Sequence, residues 1–570
     1  MPSKPLQPLV LLQPLVLDSI GIYGLNRQAS PSSLEHKWLT TANNIMLDDR
    51  GRISTRQGLK QISNNITDHA TANTLRVKSL GEYRSITGTS TIFCGAGANV
   101  YKLNTSNTPY TLDAQTFSGG TTKTNGNWQF TNFNNQFYGV QASNKPINYS
   151  GSAWLDLEDV GSYAAPSGVT TFTPSCILGE FGRLWVSSIG ENKDVVYYSD
   201  TLLGHKFTGG ASGSIDLKTV WGGDEVVALT SFMGKLVIFG KNNIVIYNDP
   251  WDPSAATFVL DEVIEGVGCV ARDSVQLLGD DVVFLSSSGL RSLSRTKIQD
   301  KMPLTDLSLA VRDEIKTHII EADMTQVKGQ YDLANGIYLL SFPDRNITYA
   351  FDFKSVTPDN APRLTTWNFA AKKNPRSFLA TADGSLYIGL GAGNYEGRIA
   401  SYEGYFDVDK SDATSDYGSS SPCAAAGGTW ESTNSKCWID TEHTYQADFN
   451  TVWLDFEQPA ITKLLKRFLA VFSGGKDSNV TLNWYRDYSI NPDSSNFTLD
   501  PTPGGTSSLW GGSTSLYGAA KYAPSYHPTE YKVSLSKSAK VLRLEIIQTV
   551  KGFKASLQNM IVWAKQGKIR

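Results

Sequence analysis

A mainly β protein built around a β-propeller is what this sequence predicts, and three observations carry the prediction. First, one figure recurs seven times between about residues 85 and 402: a short turn, a run of apolar residues alternating with small ones, a polar gap, and a second β-rich run ending in an aromatic. The copies read TSTIFCGAGANVYKL, NNQFYGVQASNKPINY, FGRLWVSSIGENKDVVYY, MGKLVIFGKNNIVIY, GDDVVFLSSSGLRSL, ANGIYLLSFPDRNITYAF and DGSLYIGLGAGNYEGRIASY. Second, their first apolar residues (Ile92, Phe137, Leu184, Leu236, Val282, Ile337, Leu386) are spaced 45 to 55 residues apart. That length holds four short strands with their turns, a unit that must stack on its neighbours to bury its faces. Third, 50 glycines, 25 tyrosines, 24 phenylalanines and 13 tryptophans are the composition of short strands joined by tight turns.

The elements follow in order. Residues 1–17 hold the hexapeptide LQPLVL twice, and Pro8 and Pro14 forbid a regular helix there, so an extended arm is expected. An apolar arm needs a surface to lie on; if that surface belongs to a neighbouring subunit, the arm is an assembly element with Leu9 and Leu15 as contacts, and deleting residues 1–17 weakens assembly without unfolding the chain. Residues 18–75 read as an N-terminal β segment with a tight turn at Asp49, Arg50 and Gly51; two strands alone are marginal, so this hairpin joins a larger sheet, or platform. Residues 76–408 are the propeller, with turn residues Asn135, Gly182, Gly234, Asp281, Gly336 and Gly384 ahead of successive hairpin strands. One amphipathic helix interrupts it, from Asp306 to about Ile319, with Leu307, Val311, Ile315 and Ile319 on one face and Thr305 or Asp306 as cap. Residues 409–440 are rich in Ser, Gly and Ala and read as a loop or linker. Residues 441–570 return to strand patterns, such as Val541 to Ile546, and read as a separate β-sandwich domain. Its long Gly/Ser loop carries Trp510, Tyr517, Tyr522 and Tyr526, aromatics that favour a contact surface.

At 570 residues the chain exceeds one hydrophobic core and needs no staples. A net charge of −3 with 18% charged residues argues against a protein that grips nucleic acid by neutralising phosphates. Cys94, Cys176 and Cys269 sit in apolar runs as buried thiols, whereas Cys423 and Cys437 either pair in an oxidising setting or stand near a metal with Asp440 and His443, a weak zinc pattern. No stretch approaches the roughly 18 apolar residues of a membrane helix, and the N-terminus lacks a small-residue cleavage site.

Chemistry is harder to find. The six histidines (His36, His69, His205, His318, His443, His527) are scattered, with no HExxH and no GxSxG elsewhere. GGKDS at 474–478 lacks the upstream glycine of a phosphate loop and reads as a turn. No catalytic, cofactor-binding or metal residue is assigned. Trp185, Tyr197, Tyr198, Tyr247, Tyr387 and Tyr402, at strand ends, read as packing between blades rather than sugar platforms. The single basic cluster, Lys463, Lys466 and Arg467, alternates with apolar residues along a strand and reads as a solvated face with room for a partner contact.

Four passages, GVGCVARDSVQLLGDDVVFLSSSGLRSLSR (266–295), NNIMLDDRGRISTRQGL, TVWLDFEQPAITKLLKRF and LQNMIVWAKQGKIR, together resemble tail nozzle proteins of short-tailed bacteriophages, also called tail tubular protein B or packaged DNA stabilisation protein. The likeness runs in order from about residue 40 to 570; the doubled arm and the 409–440 insertion depart from it. The resemblance implies a virion tail component assembled in the host bacterial cytoplasm. It implies a homohexameric ring below a tail adaptor, propellers projecting distally, docking of fibres or spikes, and a channel that passes phage DNA without reading its sequence. Six copies carry −18, and a non-basic lining would not brake a polyanion. The interface in such a ring is heterologous, with Leu9, Leu15, Lys463, Lys466, Arg467, Trp510 and Tyr517 as candidate contacts. The alternative is a glycan-binding or glycan-cleaving propeller, whose two carboxylates would stand about 5 to 9.5 Å apart; a peptide-binding scaffold leaves the arm and C-terminal domain without a task.

Overall fold

A computed structural model describes the chain from Gln13 to Gln566 apart from positions 18, 49–51, 65, 67–75, 107–109, 119–122, 191, 295–305, 370–374, 392–396, 433–434, 457 and 501–527. The predicted turn at 49–51, Leu9, Thr305, Trp510, Tyr517, Tyr522 and Tyr526 lie outside the described residues.

The seven repeated figures become seven blades. Ile92, Phe137, Leu184, Leu236, Val282, Ile337 and Leu386 each fall in the second strand of one (for example Ser90–Ala96, Lys235–Gly240 and Leu386–Leu390). The hairpin turns have the chemistry their geometry requires. Asn134 and Asn135, Phe181 and Gly182, and Met233 and Gly234 hold positive φ in consecutive pairs, matching a two-residue turn whose twist suits antiparallel strands.

The innermost strands are Val77–Arg84, Gln129–Phe133, Cys176–Glu180, Val226–Phe232, Gln276–Leu278, Lys328–Asp332 and Pro375–Ala380. Each packs on the next, through the turn Arg272–Ser274 between the fourth and fifth blades, and the last packs on the first. The ring is therefore closed. Apolar clusters fill the spaces between blades. Trp185, Tyr198 and Tyr247 lie between blades three and four, Tyr197 between two and three, and Tyr402 between six and seven, while Tyr387 packs partly buried at the seam of seven and one. Gly389 shows how tight that seam is: a Cβ there would stand 2.2 Å from Ser377 Oγ and 2.5 Å from Val77 Cγ1.

Five blades are free-standing sheets, and two are continuous with larger ones. The seventh blade takes its outer strand from ahead of the first: Leu59–Gln61 pairs antiparallel with Arg398–Tyr402, so the N-terminal segment latches the ring. Beyond it the same sheet continues into Asp407–Asp412, Lys436–His443 and Thr429–Glu431. The 409–440 segment is thus structured, contrary to the linker reading. Backbone pairing and a Cys423–Cys437 disulfide across the helix Ser420–Ala425 supply the order that its few apolar side chains do not. The disulfide commits both sulfurs, and His443 faces Asp409 at 3.4 Å.

The sixth blade runs into a ten-stranded sheet. Its outer strand Pro362–Trp367 pairs with Gly24–Leu25 and touches Trp38–Asn43, after which Tyr445–Thr451, Leu542–Val550, Asn479–Arg486 and Asp493–Thr498 follow. A seven-stranded sheet is centred on Ala555–Gln566 and Lys463–Gly474, with Gln13–Leu17 and Ile53–Thr55 along one edge of the former. One apolar core joins residues of both sheets, including Leu17, Leu39, Phe449, Phe468, Leu544 and Val562, and extends to Leu285 and Tyr338 of blades five and six. The C-terminal sandwich therefore exists, but it is shared: both chain ends and a blade build it. The amphipathic segment also packs on this core, as a turn Leu309–Val311 leading into the helix Arg312–Glu321, with Leu307, Val311 and Ile315 buried. Asp306 is not the helix cap, because the helix begins six residues later with Val311 at its cap position; its carboxylate accepts from the Ser308 amide at 2.8 Å and from Arg312 Nε at 2.7 Å.

Candidate functional site

Three places in this fold bear on function: the platform edge, the propeller axis and the seam between the first and last blades.

At the platform edge, the described part of the arm lies on its own chain. Gln13–Leu17 pairs antiparallel with residues 560–564; Leu17 is buried and Leu15 packs partly buried on the shared core. Nearby, the basic cluster divides. Lys463 is 3% exposed, and its Nζ donates to the carbonyls of Asp455, Gln458 and Lys540. It is a buried structural cation whose three donors are each satisfied by a backbone carbonyl. Lys466 and Arg467 are both exposed, because the pairing register with Ala555–Gln566 shifts between Leu465 and Arg467 and the bulge turns two successive side chains outward.

At the propeller axis, residues of non-adjacent blades meet. Arg272 donates to Asp273 Oδ1 at 2.8 Å, to Asp273 Oδ2 at 2.9 Å and to the Ser175 carbonyl at 2.7 Å. Lys328 bonds Asp273 and donates to Asn127 Oδ1 at 2.5 Å, and Asn127 donates to the Thr325 carbonyl at 2.8 Å. Ser175 and Asn127 precede the inner strands of blades three and two, Arg272 and Asp273 precede that of blade five, and Lys328 opens that of blade six. Side chains from such separated blades touch only across the axis, so one end of it is filled. Burial alone would raise the Asp273 carboxyl, but the two adjacent cations hold it well below the usual carboxylate range. Sequence reading missed this cluster, since the charged residues Arg272, Asp273 and Lys328 and their polar partners at Asn127 and Ser175 follow no local pattern and lie between positions 127 and 328.

At the seam, a cleft of about 380 Å³ opens between blades one and seven, lined among others by Glu82, Lys102, Asn104, Asp383 and Tyr387. Glu82 accepts from Ser90 Oγ at 2.6 Å, from Arg84 Nη2 at 2.7 Å and from the Ala382 amide at 3.3 Å. Asp383 accepts from Thr381 Oγ1 at 2.5 Å and the Ser385 amide at 2.9 Å, bonds that lower its pKa. Burial and then Asp383 push the Tyr387 phenol up. Carboxylates, an amine, an amide and an aromatic ring around a cleft of this size suit a small polar ligand.

No protein-family model matches the sequence, and no curated protein matches it. Among solved structures, PorZ of Porphyromonas gingivalis, described as an essential bacterial surface component of the type-IX secretion system, is 10% identical with a TM-score of 0.35. The match covers 57% of this chain and 37% of PorZ, so the chain spans little more than a third of that protein. An exo-β-1,3-galactanase of Phanerochaete chrysosporium is 8% identical over 79% of this chain and 98% of the enzyme, with a TM-score of 0.25. YCF48, in a structure bound to a D1 peptide, is 12% identical over 63% of this chain and 97% of that one, with a TM-score of 0.34. Likenesses this distant assign no activity, and the chain stands as a seven-bladed β-propeller joined to a two-sheet platform.

Proposed function

We propose that this chain is a structural subunit of a short bacteriophage tail, a nozzle that works by shape and assembly. The ordered resemblance to tail nozzle proteins from about residue 40 to 570 carries the reading. The architecture supports it. Both chain ends enter the platform, and two blades are continuous with larger sheets that include N- and C-terminal strands. The propeller is therefore held as a rigid extension rather than swung on a linker, which suits a load-bearing tube wall. In this reading the genome passes between subunits, since the axis of each propeller is filled at one end by Arg272, Asp273 and Lys328. Negative-stain microscopy of the purified chain, alone and with the neighbouring tail adaptor, tests the proposal: rings with a central hole are expected. A chain that stays single in both conditions and cleaves polysaccharide would replace it.

The seam cleft favours a second reading, a glycan-binding or glycan-cleaving propeller. It requires that Glu82→Gln or Asp383→Asn abolish binding or turnover of an oligosaccharide by the isolated chain.

A further inference from the structure

The blade topology places the ends of inner strands, the starts of second strands and the ends of third strands on one face of the propeller. On blades three and four that face is apolar. Met233, in the turn before Lys235, is 72% exposed, and Trp251, in the loop after Asn243–Tyr247, is 63% exposed with its ring 5.5 Å from that of Phe181. Leu202 is exposed beside them, its amide donating to the Gly182 carbonyl at 2.9 Å, and Val259 is exposed where its carbonyl accepts from Asn248 at 3.0 Å. A large exposed aromatic beside Met and aliphatic residues marks an interaction surface. Its charge is negative. Lys206 and Lys235 are matched by Asp200 and Asp261, whereas Glu180, Asp249 and Asp252 have no ion-pair partner among the described residues; Arg183, whose charge reaches Asp252, is buried and donates to the Ser199 and Ala211 carbonyls.

A second exposed apolar patch lies at a corner of the platform and has the opposite charge. Leu464, Tyr488 and Ile490 are 36%, 59% and 87% exposed. They belong to one corner: Leu464 faces Ser538 in register, the Ser538 carbonyl accepts from Arg486 at 3.3 Å, and Asp487 accepts from the Lys540 amide at 2.6 Å. Around them Lys466, Arg467, Lys540 and Lys565 have no ion-pair partner among the described residues, against the carboxylates Asp487 and Asp455, both of which act on buried Lys463; Arg486 and Lys537 share Asp493.

We propose that these two patches are the halves of one heterologous interface, the acidic apolar propeller face of one copy docking on the basic apolar platform corner of a second copy. Two different, mutually complementary patches on one chain are what a ring or head-to-tail assembly needs. Opposite charge steers the encounter, and the apolar centres supply the desolvated contact. An anionic membrane is disfavoured as the occupant of the propeller face because its charge repels that face. The inference rests on the homo-oligomeric part of the nozzle reading and specifies which residues meet.

Sedimentation velocity of the full chain over a concentration series tests it, with circular dichroism confirming that each surface variant folds. The wild type is expected to self-associate, more weakly as salt rises. Trp251→Ala with Met233→Ser should weaken association at least about tenfold, and so should either charge reversal, Glu180→Lys with Asp252→Lys or Lys466→Glu with Arg467→Glu. The chain carrying all four reversals should regain association, which a merely structural role for these residues would not produce. A wild type that stays monomeric, variants that assemble like the wild type, or no recovery in the fourfold variant would each overturn the interface. Rings that persist in the variants, with or without the adaptor, would overturn it while leaving the nozzle reading intact.

Discussion

Replacing Asp273 by alanine removes the single carboxylate that serves two buried cations. Arg272 and Lys328 are 14% and 8% exposed in their side chains, and both bond Asp273. The substitution deletes three charge-assisted hydrogen bonds and leaves two positive charges facing each other at the propeller axis. Removing one partner of a buried ion pair costs about 3–5 kcal/mol, because the remaining charge stays desolvated. For a unit of several hundred residues that loss lowers Tm by roughly 5–10 °C. Differential scanning fluorimetry reads it, and hydrogen exchange at the inner strands locates it. Lys328→Met should behave differently, costing less than about 1.5 kcal/mol, because it removes a cation whose own protonation is already disfavoured by burial and by Arg272, while Asp273 keeps Arg272. The double variant Asp273→Ala, Lys328→Met should recover at least half of the single loss, since one of the two unpaired cations is gone. An Asp273→Ala protein within about 1 kcal/mol of the wild type, or a double variant no better than the single, would refute the claim that this cluster is held by one shared anion.

Asp448, in a central strand of the ten-stranded sheet, is pushed up to about 6, by burial first, although Asn43 donates to both its oxygens. The folded state keeps its proton to higher pH than the unfolded chain does, so stability falls as pH rises from about 4 to 6. Asp448→Asn should flatten that slope and raise stability at neutral pH by about 1–2 kcal/mol, read by urea titration at several pH values. The Cys423–Cys437 disulfide has a sequence separation of 14 residues. Replacing both cysteines by serine should destabilise the insertion locally by about 3 kcal/mol, seen as faster proteolysis within 409–440 with the propeller transition unchanged. Deleting residues 1–17 removes the strand Gln13–Leu17 and buried Leu17 and should lower stability by at least about 1.5 kcal/mol, read by urea titration.

The propeller was legible because its information is local and repeated. Each blade carries its own turn residues, and the interval from Ile92 through Leu386 recurs whether or not any one copy is well formed. The platform was less legible because its neighbours are distant. Leu59–Gln61 latches onto Arg398–Tyr402, and Trp38–Asn43 pairs with Tyr445–Thr451, across gaps of several hundred residues that no local pattern encodes. Reading residues 441–570 as a separate sandwich followed from that blindness: the strands were recognisable and their partners were not. The 409–440 segment misled for another reason. Its composition is that of a loop, yet a strand can hold without apolar side chains when its backbone pairs on a sheet already anchored elsewhere and a disulfide fixes its tip.

The basic cluster shows where alternation stops being informative. In a regular strand Lys463 and Arg467 would share one face and Lys466 would take the other, so at most two charges could meet a partner together. The bulge between Leu465 and Arg467 breaks that parity. It leaves Lys463 facing inward against three carbonyls and sets Lys466 and Arg467 side by side in solvent. One inserted position thus converts a structural lysine and a mixed surface into a paired cationic edge next to exposed Leu464. Straightening the bulge by deleting Lys466 would leave Leu465 inward, Arg467 outward and Phe468 inward, the alternation of a regular strand. Such a deletion should therefore remove one charge and separate the paired cations at little cost in stability, read by urea titration, whereas the paired reversal Lys466→Glu, Arg467→Glu keeps the bulge and changes charge alone. Comparing the two separates the placement of these charges from their sign.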